Sequence, residues 1–223
     1  VKRLALKGAA AASALILAGC AGGNQNSTWG EYYQVLNQSF SNSFSSKAVT
    51  RDRAAAVPYA SLGYRLNGGP ETMLVLATDS GGEQLWTSSA HIVVVTHDGR
   101  VTRTVGLPHD LGQWAPSRGP ALIPASAALT GPQTSSLLAD FPDQGRYSST
   151  VTCRSAAAGR ETVTILGRDI ATTRVDETCE SAQLKWQFRN SYWMDADRFV
   201  WRTVQHINPN GDVLDIEIFR PPG

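Results

Sequence analysis

Four histidines, several closely spaced carboxylates and six tryptophans are the residues of this chain whose chemistry is worth weighing first. His91 and His97 fall six apart on an expected strand and share a face. At the rise of a strand they stand about 20 Å apart, too far to hold one metal. His109 is followed by Asp110, a neighbour that could orient its imidazole, although adjacent residues rarely meet that geometry. His206 lies on an expected strand near the C-terminus. Asp195 with Asp197, and Asp215 with Glu217, are paired carboxylates of the kind glycoside hydrolysis uses. Their alternate spacing fits solvated outward faces of strands and turns better. Ser61 and Ser126 stand outside any Gly-x-Ser-x-Gly turn, so no nucleophile elbow is visible. Glycine-rich phosphate cradles are absent as well. No catalytic residue, metal or cofactor is assigned, and the chain reads as a non-enzyme. Among Trp86, Trp114, Trp186, Trp193 and Trp201, any ring could stack on a sugar. Trp186 falls on an inward apolar face, whereas Trp114, in a polar loop beside Pro116, is the candidate for an exposed carbohydrate platform.

The N-terminus carries a different chemistry. Lys2, Arg3 and Lys7 precede an apolar run from Ala9 to Leu17. That run is about half of the roughly 20 apolar residues a membrane-spanning helix needs, and the arrangement is that of a secretory signal. Leu17-Ala18-Gly19-Cys20 then resembles a bacterial lipobox. The resemblance implies cleavage before Cys20, acylation of its thiol (palmitate being a typical chain) and acylation of the new amine. Several chains matter, because one alone anchors only marginally. Removing residues 1–19 takes away three positive charges, leaving 17 Lys+Arg against 19 Asp+Glu. A slightly acidic body gains nothing from anionic headgroups, so attachment would rest on lipid. Ala21, rather than Asp, after the modified residue favours delivery to the outer membrane, facing the periplasm.

With Cys20 committed to lipid, Cys153 and Cys179 remain. Export favours a disulfide between them, over two buried free thiols or a metal site, for which no C-x-x-C or similar spacing exists.

The elements that must position these residues are mostly strands. Residues 20–27 form a tether reaching roughly 15 Å. Thr28 with Glu31 reads as a capping box. Trp29, Tyr33, Leu36, Phe40 and Phe44 then make one stripe of a helix over about 28–44, expected to pack on the main body, with a docking face for a partner protein as the alternative. Thr72–Thr78 is a continuous apolar run and so a buried strand. Gln84–Ser88 is a short strand, and Ile92–Thr96 and Arg100–Val105 flank an Asp98-Gly99 hairpin turn. Arg146–Cys153 and Arg160–Leu166 flank an Ala-rich turn containing Gly159. Gln183–Phe188 alternates, with Leu184, Trp186 and Phe188 on one face. Phe199–Ile207 and Val213–Phe219 flank Asn208-Pro209-Asn210-Gly211, with Leu214, Ile216 and Ile218 inward. Gly106–Gly145 holds six prolines, which predicts a long loop with a short helical turn near Thr134–Asp140. Successive hairpins without helices between them predict an all-β fold, an antiparallel barrel-like or sandwich domain over 28–223 with one N-terminal helix and a long Pro-rich loop.

Composition agrees. Hydrophobic residues are 42% and charged residues 17%, which excludes the usual disordered chain. The charge balance is near zero, without the basic surplus that nucleic-acid binding requires.

An ordered set of residues resembles the YjbF family of capsule and exopolysaccharide lipoproteins. The set is Pro58-Tyr59-Ala60-Ser61, Arg65-Leu66, Pro70, Leu74–Ala77, Leu85-Trp86, Gly99-Arg100, Thr104–Leu107, Tyr192–Asp195, Val200-Trp201 and Gln205. It spans about residues 30–221. The resemblance implies a barrel-like β domain and a non-catalytic accessory role in assembling or exporting surface polysaccharide. Its implied partners are the membrane, through the lipid, and envelope export proteins, with polysaccharide itself a candidate ligand. It carries no catalytic residues across. A polysaccharide lyase or hydrolase using His109 and Asp110, or a scaffold lipoprotein, are the alternatives. Ser89-Ala90-His91 and the Pro-rich segment depart from the family pattern.

Overall fold

A computed structural model describes residues 49–118 and 122–223. The signal peptide, tether and helix expected over 1–19, 20–27 and 28–44, and with them Cys20, lie outside the described residues. The chain enters through a short helix, α1 (Arg51–Ala56). Thr50 caps it by accepting from the Arg53 amide, and Asp52 sits in its first turn. Pro58 disfavours helical backbone just before itself and so ends it.

Twelve strands follow: β1 (Ser61–Leu66), β2 (Thr72–Ser80), β3 (Glu83–Thr87), β4 (Val93–His97), β5 (Arg100–Val105), β6 (Gln113–Pro116), β7 (Gln133–Phe141), β8 (Arg146–Ile165), β9 (Arg168–Ser181), β10 (Trp186–Met194), β11 (Val200–His206) and β12 (Val213–Arg220). They form one antiparallel sheet in the order β5-β4-β3-β2-β1-β12-β11-β10-β9-β8-β7-β6. Its two ends approach where the Thr104 amide donates to the Leu111 carbonyl and the Leu111 amide to Thr104 Oγ1, both at 2.9 Å. The sheet is thus a nearly closed barrel, as the succession of hairpins predicts.

Alternation decides the interior. Leu214, Ile216 and Ile218 of β12 point inward beside Leu62 and Leu74. Trp186 and Phe188 of β10 are stacked at 3.8 Å, with Phe141 edge-on to Trp186. At the β4–β5 turn, Asp98 and Gly99 have φ of 49° and 77°, the left-handed pair a two-residue hairpin needs. A Cβ on Gly99 would also lie 2.6 Å from Val200.

Three local expectations change. No turn exists at Gly159: β8 runs unbroken from Arg146 to Ile165, with a bulge at Ala157–Gly159 against β9. Gly159 has a φ of 134°, so its freedom serves a bulge rather than a reversal. The reversal comes at Leu166-Gly167, with φ of 47° and 73°. Leucine in that conformation hides the signal. Beyond the bulge the hairpin contributes Val163 and Ile165 to an outer cluster with Trp193, against which Trp201, Val204 and Phe219 pack. The helical turn expected at Thr134–Asp140 is strand β7, a proline-free stretch between Pro132 and Pro142. Short 3-10 turns lie instead at Ala125–Leu129 and Pro142–Gln144. Finally, residues 182–185 form a turn, with Lys185 at φ 50°, so β10 begins only at Trp186.

Cys153 and Cys179 face each other across β8 and β9 and are joined in a disulfide. Closing a loop of 26 residues is worth about 3 kcal/mol in the chain-entropy picture.

Candidate functional site

Polar chemistry gathers at three places in the barrel. The first is sealed inside. Arg100, the first residue of β5, reaches Glu177 of β9 through both terminal guanidinium nitrogens. Glu177 also accepts from Asn190 (3.1 Å), Tyr192 (3.2 Å) and Ser155 (3.2 Å). Gln205 binds the backbone of the β4–β5 turn region, accepting from the Val101 amide at 3.1 Å and donating to the Gly99 carbonyl at 2.8 Å. Arg100 and Glu177 are 4% and 0% exposed. Burial alone would raise the Glu177 carboxyl, but the Arg100 charge and the converging donors hold it below its ordinary value. Burial likewise pulls on Arg100, yet the Glu177 charge raises it, and burial pushes the Tyr192 phenol up. Every charge is paired and almost wholly withdrawn from solvent, so the cluster locks strands together. Sequence reading missed it. Its one signal is spacing: Glu177 stands two residues from Cys179 and shares its inward face.

The second is a half-exposed histidine. His109 Nδ1 lies 2.9 Å from Asp212 Oδ2, with the imidazole 45% exposed and the carboxylate 13%. Asn67 and Asn208 also donate to Asp212, at 2.7 and 2.8 Å. Burial raises the Asp212 carboxyl, but these donors and His109 bring it below its usual range. Asp110, expected as the histidine's partner, turns away. It accepts from Thr104 and from the amides of Gly106 and Leu107, tightening its own loop. The pairing that forms therefore links residues 103 apart in sequence.

The third is a cleft of about 300 Å³ at one barrel mouth. Its floor is Leu62, Thr203, Ile216 and Ile218, its wall Gln84, Thr96 and Phe199, and its rim Asp79, Asp98 and Arg198. A hydrogen-bond chain braces the wall. Trp86 Nε1 donates to Thr96 (2.9 Å), Thr96 to Gln84 (3.3 Å) and Gln84 to Asp79 (3.1 Å). The opposite lip is fixed by Asp195. It accepts from the amides of Asp197 and Phe199 at 3.0 Å and from Trp201 Nε1 at 2.7 Å. Arg168 lies 4.4 Å over the Trp201 ring, and Phe199 packs edge-on to it at 4.9 Å.

The remaining candidate residues find structural places. Trp114 is only 7% exposed and packs against Phe141 and Phe188. The exposed carbohydrate platform is thus corrected: the loop around Trp114 is in fact strand β6, which turns the indole inward. Trp186 is core, as its alternation predicts. His91 sits in the turn before β4 with φ 61° rather than on a strand. His97 Nδ1 approaches Asp98 at 3.2 Å, and half-burial lowers the His206 imidazole. Asp195 braces a loop instead of pairing with Asp197 for acid–base work. Asp215 and Glu217 do point outward, yet they are 21% and 12% exposed and sit in an ion-pair ladder. Arg202 grips Asp215 in a two-pronged contact at 3.0 and 2.8 Å, and Arg65 joins Glu71 at 2.6 Å and Glu217 at 3.7 Å. Burial raises both Glu71 and Glu217. Among the described residues, one trio of metal-ligating types is close enough to share an ion, Cys153, Glu177 and Cys179. Its two sulfurs are spent in the disulfide.

Against known proteins, residues 33–219 match the family model described as "Group 4 capsule polysaccharide lipoprotein gfcB, YjbF". This chain belongs to the YjbF family. Two Escherichia coli (strain K12) relatives are similar along most of their length. "Uncharacterized lipoprotein GfcB" is 27% identical over 185 residues, covering 82% of this chain and 83% of the relative. "Uncharacterized lipoprotein YjbF" is 30% identical over 163 residues, covering 71% and 74%. The crystal structure of the hypothetical lipoprotein YmcC from Escherichia coli (K12) superposes with a TM-score of 0.71 at 24% identity, over 90% of this chain and all of that one. That likeness supports the barrel. The ordered residues that suggested the family, from Pro58 to Gln205, lie within the matched span.

Proposed function

We propose that this protein is a non-catalytic accessory in the assembly or export of a capsule-type surface polysaccharide. It is held by lipid on Cys20 at the outer membrane and faces the periplasm. Family membership carries the reading, since the family is described by capsule polysaccharide and by lipoprotein. The Leu17–Cys20 motif supports the anchor, and Ala21 supports outer-membrane delivery. The protein would work by contact with envelope export proteins and with the polymer. Deleting the gene tests this: less surface polysaccharide, or polymer held in the periplasm, is the expected phenotype. Unchanged amount, length and location would overturn the reading. Labelled palmitate should enter the wild-type protein and not Cys20→Ser.

The His109–Asp212 pair favours a second reading, a polysaccharide-cleaving enzyme. A half-exposed imidazole held by a carboxylate has the form of a general base. His109 Nε2 has no hydrogen-bond partner among the described residues, so the pair has no nucleophile of its own to activate there. Shortening of the host polymer, abolished in His109→Ala, would establish this reading over the first.

A further inference from the structure

The geometry points to the barrel-mouth cleft as a binding site for a sugar unit of the exported polymer. This deepens the accessory reading and rests on it for the choice of polymer.

Three observations converge. The cleft, at about 300 Å³, sits at the small end of ligand pockets, with room for about one or two sugar units. Thr203 forms part of its floor and is 2% exposed, yet its hydroxyl has no hydrogen-bond partner among the described residues. A buried polar group is ordinarily paired, so an orphan at the base of a cleft calls for an explanation. Arg198 stands on the rim in left-handed backbone, φ 68°, with its guanidinium in no ion pair among the described residues. The β10–β11 turn sets that conformation, the Arg198 amide donating to the Asp195 carbonyl at 3.1 Å, and leaves the side chain at the edge of the cleft.

The mixture of surfaces selects the ligand. A sugar ring has an apolar C–H face and a polar edge of hydroxyls. Phe199, Ile216 and Ile218 offer the first a surface. Asp79, Gln84 and Arg198 offer the second acceptors and donors, and a hydroxyl reaching the floor would complete Thr203. An acyl chain would match the apolar floor but leave the buried Thr203 hydroxyl without a partner, at the cost of an unpaired polar group.

The test uses the acylated mature chain, from Cys20 onward, in lipid nanodiscs, titrated with oligosaccharides made by partial hydrolysis of the host's own surface polysaccharide. Saturable binding is expected. Thr203→Val should weaken it roughly three- to tenfold, the worth of one neutral hydrogen bond, without lowering the melting temperature, and Thr203→Ser should restore it. Arg198→Ala should weaken it by about tenfold or more. Fragments that never saturate, or that bind all variants equally, overturn the site. Palmitate binding that Thr203→Val leaves intact and the oligosaccharides cannot displace would make it an acyl pocket instead. The two readings fail separately. A deletion strain with normal surface polysaccharide would sink the accessory role while leaving the binding measurement standing, and lost binding with an intact deletion phenotype would do the reverse.

Discussion

The barrel interior and the barrel mouth use the same residue types to opposite ends. Inside, Arg100, Glu177, Asn190, Tyr192 and Gln205 satisfy one another and none is more than 4% exposed. At the mouth, the Arg198 guanidinium stands without an ion pair and the Thr203 hydroxyl without a hydrogen bond among the described residues. A polar group with all its partners inside the fold has nothing left to offer a ligand. One left short can bind. The difference separates residues that hold the barrel together from residues available for work.

The interior ion pair should be the most sensitive point in the barrel. Arg100→Met or Glu177→Leu alone should cost about 3–5 kcal/mol, because each leaves a buried charge without its counter-ion. The double variant should lose less than the sum, since two apolar groups leave no orphan charge. Chemical denaturation of the four proteins measures this, and additive losses would mean the pair is not coupled.

Removing the disulfide comes next. Cys153→Ala with Cys179→Ala should lower stability by about 3 kcal/mol, with a matching fall in the denaturation midpoint. Acid sharpens the interior side further. Glu177 is held below its ordinary value of 4.5. Its contribution is therefore complete above that pH and is lost as pH falls through its folded value. Melting temperature should drop on acidification below 4.5. In Glu177→Gln, compared with its own neutral-pH value, that part of the decline should be missing.

Much of the barrel could be read from spacing, and the reasons for the gaps are local. Asp98-Gly99 announces its hairpin because both residues tolerate left-handed backbone, and β12 shows its inward face by strict alternation. The Ala157–Gly159 bulge looks like a turn because small residues mark both. Strand β7 was hidden by the prolines around it, and the burial of Trp114 by its polar neighbours in sequence. The candidate sites were less legible still. Arg100 and Glu177 are 77 residues apart, and the Arg65–Glu217–Arg202 ladder needs β1, β12 and β11 side by side. His109 pairs with Asp212 and not with its neighbour Asp110, because the reversal between β11 and β12 brings Asp212 to its imidazole.

Substitution at the mouth should disturb the fold least. Thr203→Val should shift the melting temperature of the free protein hardly at all, or slightly upward, since it removes an unpaired buried hydroxyl. A clear loss of stability would show that this hydroxyl serves the fold, and the contrast between the two regions would close.

Incubating the purified acylated protein with intact host polysaccharide separates action by contact from cleavage. Size-exclusion chromatography before and after should show the polymer retained by the protein and then released at its original length. A shift to shorter chains, lost in His109→Ala, would contradict action by contact and make this barrel an enzyme.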